Sequence, residues 1–488
     1  MGIVAKQSIM NTLVTYLGIG FGALNTLFLF TNILSEEDYG VATYLVATTN
    51  LLWPIMAFGL HNTLVKFYHS YNDTEIQSRF FSWILITPIF ITLLFGMGYM
   101  LFYDQIMNHY SVSNPIVKPY VWLIIVMGFT SAYFELFYAW AKVHLQTVKG
   151  NFIKELLHRV LVSFFLVSVY FQWINSVQFI YSLVVVYSLR TIIMMRIAFK
   201  LKKIKFSLGK LPNTKAVMYY SVLILIAASV AIFLLDLDKL MIENYLPISN
   251  VAVYSICVYM ASVVGVPMRA MQQITNPLTA KLLVQKDKKG LRDLNKKTGI
   301  TSLIVTTWVG LLVVSNVHSI YDMIPSEYVL HINIVLLITL VKVFDASLGI
   351  TNSILFNSDS YKWILIFGIS VLGAAFYLNT IFIPSYGIVG AAFSTFISYA
   401  LYNSAKYIFV YFKFKIQPFS IKTIIILLWT CVLYVIFYYW NIKTVPPIFS
   451  IIIKGTTLSL AYSLFIYVTR LSPELTNTIN KVVKINNK

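Results

Sequence analysis

Lys342 and Asp345 lie three residues apart in a stretch of the sequence that is otherwise almost entirely apolar. On a helix, this spacing places both side chains on one face. A charged side chain in hydrocarbon is costly unless it is paired or reached by water. We therefore expect the two groups to face a wet cavity or each other. A closed ion pair that only fixes helix packing is the alternative interpretation.

Three more cations interrupt apolar segments of the sequence, namely Arg190, Arg269 and Lys66. Arg190 falls near the middle of its segment, so we expect it to face a wet cavity. A hydrogen bond to carbonyl groups of a neighbouring helix is the alternative for Arg190. Arg269 and Lys66 lie closer to the ends of their segments, where a long side chain can extend to the membrane surface.

The segments around these charges predict membrane-spanning helices. The chain has 488 residues, of which 58% are hydrophobic and 11% are charged. Apolar runs of about twenty residues are long enough to cross a bilayer as helices. We predict an all-α integral membrane protein with fourteen spans, at 9–31, 39–61, 81–103, 119–141, 156–173, 176–199, 216–237, 249–271, 299–319, 331–356, 361–382, 385–411, 420–440 and 446–469.

Basic residues predict the orientation of these spans. Lys and Arg are concentrated in alternate loops, which the positive-inside rule places in the cytoplasm. We predict cytoplasmic termini and an uncleaved first span at 9–31. The formal net charge of +19 then reflects topology and contact with anionic membrane lipids. We expect no nucleic-acid partner, because the chain has no basic soluble face.

No signal for catalysis, metal binding or a cofactor stands out in the sequence. The chain contains no phosphate-binding loop motif. Its two cysteines, Cys257 and Cys431, fall in different predicted spans and indicate neither a disulfide framework nor a metal site. We predict no catalytic residue, no metal and no cofactor. Glu135 and Lys454 also fall within spans, and the sequence leaves their roles undecided.

A weak internal repeat predicts how the spans are grouped. "NILSEEDYGVATY" at Asn32 and "NYLPISNVAVYSI" at Asn244 each follow one span and open the next. Their separation corresponds to six predicted spans, so the two halves would share one orientation, as in parallel transporter repeats. We predict an N-terminal lobe at 1–205, a C-terminal lobe at 206–415, two appended helices at 416–470 and a cytoplasmic tail at 471–488.

Three segments resemble the polysaccharide flippases of the multidrug/oligosaccharidyl-lipid/polysaccharide exporter superfamily. "LSEEDYGVATYLVATTNLLWPIMAFGLHNTLVKFYHSY" is similar to the first loop and second helix of that family. "LDLDKLMIENYLPISNVAVYS" and "YGIVGAAFSTFISYALYNSAKYIFVYFKFKIQPF" are similar to its seventh and twelfth helices. The chain departs from the family at Val251 and Ala252, where a glycine often enters the eighth helix. The matching positions are Leu34, Asp38, Tyr39, Gly40, Gly59, Leu60, Lys66, Phe67, Tyr68, Tyr386, Gly387, Gly390, Ala391, Ala392 and Ser398.

This resemblance implies two six-helix lobes around a central cavity and a function in a bacterial cytoplasmic membrane. Family members move undecaprenyl-pyrophosphate-linked oligosaccharides to the periplasmic leaflet by alternating access, as functional monomers. Polysaccharide polymerase machinery is an implied partner. Arg190, Lys342, Arg269 and Lys66 would bind the pyrophosphate and an acidic glycan. Asp345 would keep Lys342 charged and could act as a protonation switch for coupling.

Three other functions compete with this interpretation. A cation-coupled multidrug exporter of the same superfamily usually has twelve spans and a cavity dominated by acids. A lipid II flippase is a closer alternative with fourteen spans. A membrane enzyme, such as a glycan polymerase or ligase, typically carries a long periplasmic loop with catalytic residues. No predicted periplasmic loop of this chain is long enough for that.

Overall fold

The computed structural model describes residues 3–71, 73–202, 206–207, 209–440, 445–476 and 480. Every regular element in these residues is a helix, which confirms the predicted all-α fold. The helices before residue 246 are α1 (Ile3–Ala23), α2 (Phe30–Ile33), α3 (Glu36–Met56), α4 (Leu60–Phe67), α5 (Thr74–Leu101), α6 (Tyr103–Ser113), α7 (Val121–Val143), α8 (Thr147–Asn151), α9 (His158–Tyr170), α10 (Ser176–Leu201) and α11 (Thr214–Tyr245).

Nine further helices follow residue 246. They are α12 (Ser249–Val263), α13 (Val266–Val284), α14 (Lys288–Ser315), α15 (Val317–Tyr321), α16 (Ile332–Ser347), α17 (Thr351–Asn357), α18 (Tyr361–Phe414), α19 (Ile421–Tyr439) and α20 (Pro447–Thr469). Two π-helical segments, Leu24–Leu29 and Phe152–Leu157, directly precede α2 and α9. Such wide turns often occur at functional sites in helical proteins.

The chain forms two compact units, Met1–Ser255 and Ile256–Lys488, and the boundary falls within α12. In the first unit, α7 packs against α3, α4, α5 and α10, while α11 packs against α3 and α4. In the second unit, α14 packs against α13, α16, α19 and α20. The lobes predicted at 1–205 and 206–415 stay a prediction, because packing units do not report an internal repeat.

The number of membrane spans is not confirmed as fourteen. Among the described residues, eight helices are long and apolar enough to cross a membrane, or eleven when three bent pairs count as single spans. The protein is therefore a multi-pass membrane protein. One predicted span, 156–173, corresponds to α9, which has 13 residues and continues from the π-helical segment Phe152–Leu157.

The long helix α18 contains two of the predicted spans. Its 54 residues would extend for about 80 Å as a straight helix, far beyond the thickness of a bilayer. The backbone departs from helical geometry at Gly387, with φ of 60° and ψ of −145°. The Ser394 hydroxyl then donates to the Ala375 carbonyl at 3.0 Å, and the Trp363 and Phe409 rings lie 5.1 Å apart. These contacts show that α18 is a hairpin of two antiparallel helices.

Three pairs of consecutive helices meet at sharp bends. The bends measure 44° between α3 and α4, 47° between α12 and α13, and 61° between α16 and α17. Gly59 and Gly349 have positive φ at the first and third bends, where a residue with a side chain would be strained. The second bend directly precedes Pro267 in the first turn of α13, where a proline costs no helical hydrogen bond.

The helices α19 and α20 belong to the core of the second unit. Leu433, Leu458 and Tyr462 are buried with Leu303 and Leu311 of α14. The Tyr462 hydroxyl donates to the Ile304 carbonyl at 3.0 Å, and the Trp308 indole donates to Ser459 at 3.1 Å. Buried polar contacts of this kind fix the rotation of α20 against α14, because a mismatched donor in hydrocarbon would be costly.

Candidate functional site

Arg190 is held on α10 by one side chain of α7. Its Nη2 donates to the Ser131 hydroxyl at 2.9 Å, and its guanidinium carbon lies 4.0 Å from the centre of the Tyr187 ring. The centre of the Phe134 ring lies 5.1 Å from the same carbon, on another side of the guanidinium. Among the described residues, Nε is buried and has no hydrogen-bond partner. Stacking therefore orients the guanidinium, and the described residues accept from only one of its five donors.

Glu135 lies one turn after Ser131 on α7 and pairs with a lysine that sequence analysis did not select. The Lys154 ammonium donates to Glu135 Oε1 at 2.5 Å. The Glu135 side chain is 8% exposed, whereas that of Lys154 is 41% exposed. Lys154 lies in the π-helical segment Phe152–Leu157, next to a predicted loop, so the sequence indicated only a topology signal there. Glu135, whose role the sequence left undecided, is therefore the counterion of Lys154.

Lys142 adds another cation near the same carboxylate. Its Nζ lies 4.1 Å from the centre of the Tyr138 ring, one turn earlier on α7. Glu135 attracts both Lys142 and Lys154, so the three charges form one electrostatic cluster. Lys142 directly follows the predicted span 119–141, where a basic residue indicates only topology.

Two histidines lie inside the first unit close to these charges. His61 is buried on α4, and its Nε2 lies 3.1 Å from the Asn62 amide nitrogen. The His158 ring lies 5.1 Å from the Tyr187 ring, edge to face. Both Nδ1 atoms are buried without a hydrogen-bond partner among the described residues. Their sequence positions are not clustered, so only the packing of α4, α7, α9 and α10 relates them to one region.

Lys66 lies in the last turn of α4 and is exposed. Its Nζ lies 3.8 Å from the centre of the Tyr220 ring of α11 and 5.5 Å from that of Phe67. It therefore rests on aromatic faces, and no described residue accepts a hydrogen bond from its three donors. This position suits either a binding cation or a residue that extends to the membrane surface.

In the second unit, Lys342 lies on α16 against α18 and beside Gly265, at the bend between α12 and α13. Its Nζ is 5.6 Å from the centre of the Tyr399 ring. A side chain at Gly265 would begin 3.4 Å from Lys342 Cδ, which is an ordinary van der Waals contact, so the lysine stem packs beside this glycine. Arg269 follows Gly265 by one turn, is exposed, and repels Lys342 electrostatically. The two predicted cations therefore lie close to each other.

Asp345 forms its direct ion pair with Lys406, and its predicted partnership with Lys342 stays a prediction. Asp345 Oδ1 lies 3.6 Å from Nζ of Lys406, a residue of α18 near the end of the predicted span 385–411. Lys406 also donates to the Asn352 amide oxygen at 2.8 Å and lies over the Tyr402 ring. Asp345 attracts Lys342 as well, but no described carboxylate lies within 4 Å of Lys342 Nζ. A buried lysine on a distant segment attracts the carboxylate more closely than its neighbour in sequence does.

Lys454 is buried on α20 near the N-terminal end of that helix. Only 1% of the residue is exposed, and Asp322 attracts it from beyond ion-pair distance. The hydroxyls of Ser450 and Ser319 are 3.2 Å apart and join α20 to α15. This arrangement favours a packing role for Lys454, whose function the sequence left undecided.

The acids of α11 already have partners inside the first unit. Lys239 donates to Asp236 at 2.8 Å, and Tyr254 donates to Asp238 at 2.5 Å. Glu243 accepts from the Asn114 amide at 3.1 Å. Within the described residues, no three or more His, Cys, Asp or Glu side chains converge as metal ligands would. The cations, rather than these acids, retain unused bonding capacity.

Comparisons with solved structures identify proteins of similar fold. Similar solved structures include the lipid II flippase MurJ in an inward closed conformation, with 15% identity and a TM-score of 0.74 over 96% of this chain and 100% of that chain. An inward-facing multidrug resistance MATE family transporter of the MOP superfamily has 11% identity and a TM-score of 0.59 over 84% and 98%. An outward-facing multidrug resistance MATE family transporter has 9% identity and a TM-score of 0.51, over 84% of this chain and 96% of that chain. At these identities the likeness is one of fold.

The family is shown by a match in sequence. No curated protein sequence matches the chain significantly. A family model described as polysaccharide biosynthesis protein, however, matches residues 4–271, which is more than half of the chain. That match includes α7, α10 and the residues around Arg190. The chain therefore belongs to the polysaccharide biosynthesis protein family, as its resemblance to the polysaccharide flippases predicted.

Proposed function

We propose that this protein is a flippase for undecaprenyl-pyrophosphate-linked oligosaccharide repeat units in a bacterial cytoplasmic membrane. It moves them to the periplasmic leaflet by alternating access, for the synthesis of a surface polysaccharide such as O-antigen. Both termini lie in the cytoplasm. The protein acts as a monomer and supplies polysaccharide polymerase machinery. Membership of the polysaccharide biosynthesis family and a transporter fold support this function over that of an enzyme.

The guanidinium of Arg190 is the observation that carries the proposal. It lies in a membrane-spanning helix, makes one hydrogen bond among the described residues and is oriented by Tyr187. A guanidinium with free donors suits the bidentate binding of phosphate oxygens. A pyrophosphate group must lose hydration when it crosses the membrane, and fixed cations can replace that hydration.

Cations of the second unit take the same role in this proposal. Lys342 and Arg269 lie close together without a carboxylate in direct contact with either among the described residues. They bind the pyrophosphate or an acidic glycan, and Lys66 contributes in the first unit. Asp345 remains the proposed coupling residue, since protonation would release its attraction for both Lys406 and Lys342.

A lipid II flippase is the second candidate. The similarity to MurJ favours it, because the fold match covers 96% of this chain and all of that one. The MATE transporters match less of the chain, at 84%, and the acids of α11 are already paired. Both remaining candidates share a pyrophosphate-linked lipid substrate, so the cation chemistry is the same for each.

Lipid extracts from cells that lack the protein test the proposal. We expect undecaprenyl-pyrophosphate-linked oligosaccharide to accumulate and the wild-type protein to remove it. The Arg190→Ala and Lys342→Ala variants should each leave the lipid-linked oligosaccharide accumulated. The Lys289→Ala variant, changed on the exposed start of α14, should remove it as the wild type does. Accumulation of lipid II instead would support the second candidate. Accumulation of neither lipid, with altered sensitivity to drugs, would contradict both.

A further inference from the structure

Four residues of α7 share one face of the helix. Ser131, Glu135, Tyr138 and Lys142 follow each other at intervals of four, three and four residues. This spacing aligns side chains along one face of an α-helix. The stripe extends for about 16 Å, roughly half the hydrocarbon thickness of a bilayer.

The four residues of this stripe bring three cations together. Ser131 binds Arg190 of α10 at 2.9 Å, Glu135 binds Lys154 at 2.5 Å, and Tyr138 supports Lys142 at 4.1 Å from its ring centre. The cations come from three different elements, so α7 is what aligns them. Glu135 attracts Arg190, Lys142 and Lys154, which indicates that the whole set forms one electrostatic unit.

The ion pair in the middle of the stripe presents its cation outward. The Glu135 side chain is almost fully buried, whereas 41% of the Lys154 side chain is exposed. An ammonium group has three donors, and the bond to Glu135 occupies one of them. Lys154 is therefore held in place and can still bind an anion. Three cations and one carboxylate leave the stripe with a positive formal charge.

We propose that this face of α7 is a path for the pyrophosphate of the substrate, with Lys142, Lys154 and Arg190 as successive binding cations. Glu135 is a positioning residue that holds Lys154. The inference rests on the proposed function, whose orientation makes Lys142 the cytoplasmic entrance and Arg190 the deepest step. Several sites of moderate strength allow an anion to enter and also to leave, which one strong site would not.

Binding of farnesyl pyrophosphate to the purified full chain in detergent tests the path. Farnesyl pyrophosphate is a soluble prenyl pyrophosphate without a glycan, so it probes the anion sites directly. We expect Lys154→Gln to weaken binding roughly tenfold to a hundredfold, the range for a lost charge-assisted hydrogen bond. Lys154→Arg should bind like the wild type. Lys149→Gln, on the exposed side of α8, is the matched control and should have no effect.

The charge-swapped variant Glu135→Lys/Lys154→Glu separates binding from packing. It restores an ion pair but buries the cation and exposes the carboxylate. We expect a lower melting temperature than that of the wild type, because the buried lysine of the swap adjoins Lys142 and Arg190, and binding as weak as that of Lys154→Gln. Wild-type affinity in the swap or in Lys154→Gln would overturn the path and make the pair purely structural. If the swap does not fold, the contrast between Lys154→Gln and Lys154→Arg decides instead.

The same assay distinguishes failure of the path from failure of the proposed function. Binding by the wild type that Arg190→Ala weakens and Lys154→Gln leaves unchanged would contradict only the path. No binding of farnesyl pyrophosphate by the wild type would contradict both.

Discussion

At the scale of residues, the cations inside the spans differ in how many hydrogen-bond donors they leave available to a ligand. Arg190 is oriented by aromatic stacking and keeps most of its donors, whereas Lys406 is enclosed by Asp345, Asn352 and Tyr402. An anionic ligand can bind the first arrangement without breaking an existing ion pair. The second arrangement mainly positions Asp345 and joins α16 to α18.

Removal of Lys406 should therefore reduce stability more than removal of an exposed lysine from the same helix. The Lys406 side chain is 2% exposed and that of Asp345 is 32% exposed, so Asp345 would lose its partner in a partly buried position. We expect Lys406→Ala to lower the free energy of unfolding by about 1–3 kcal/mol. Thermal unfolding in detergent measures this.

The control for that experiment is Lys413→Ala, which removes an exposed lysine of α18 bonded to Ser360. It should change stability by no more than about 0.5 kcal/mol. Equal losses from both variants would show that the Asp345 pair has no special role in stability.

At the scale of elements, glycines decide where the bent helices change direction. Gly59 has φ of 67°, and a side chain there would begin 2.4 Å from the carbonyl oxygen of Ser221 on α11. The bend between α3 and α4 thus requires both a left-handed backbone and close packing on α11. Gly349 has the same role at the third bend, where a side chain would begin 2.6 Å from the carbonyl oxygen of Asn295. Such positions couple local backbone geometry to the packing of a neighbouring helix.

We expect Gly59→Ala to destabilise the first unit by at least about 1 kcal/mol, because the alanine would combine backbone strain with a steric clash. The melting temperature in detergent should fall by several degrees. Gly98→Ala on α5 is the matched control, since no atom lies within 4 Å of the added methyl group. Its stability should be unchanged or slightly higher. A Gly59→Ala protein as stable as this control would contradict the assigned role of Gly59.

At the scale of the whole molecule, the basic loops and the helices together determine topology. The +19 net charge is concentrated in alternate loops, and a hairpin inside α18 keeps two predicted spans separate. If one span were miscounted, every later loop would be assigned to the wrong side of the membrane. Labelling of matched positions on the two predicted sides is therefore a strict test of the orientation.

We expect Val112→Cys to react with a membrane-impermeant maleimide on intact cells whose outer membrane is permeable to it. Val284→Cys should react only after the inner membrane is disrupted. The two valines are 88% and 84% exposed, so accessibility within the protein is matched. Both variants need Cys257→Ser and Cys431→Ser as background. Labelling of both valine positions from one side would show that the predicted alternation of loops is wrong.

The binding cations were only partly predictable from the sequence. Arg190 and Lys342 stand out because apolar residues surround them, so a charge there needs an explanation. Lys142, Lys154 and Lys406 lie at or near predicted span ends, where positive charge is ordinary. Their roles depend on Glu135, Asp345 and Tyr138, and two of those partners lie on another helix.

The amino-acid sequence by itself determined that this is a multi-pass helical membrane protein of the polysaccharide biosynthesis family. Runs of apolar residues and local motifs are enough for that, because a helix satisfies its backbone within one segment in lipid. Only the tertiary structure decided which charges meet. Lys154 reaches Glu135 and Lys406 reaches Asp345 across helix contacts, and side-chain packing selects such partners without regard to their separation in sequence.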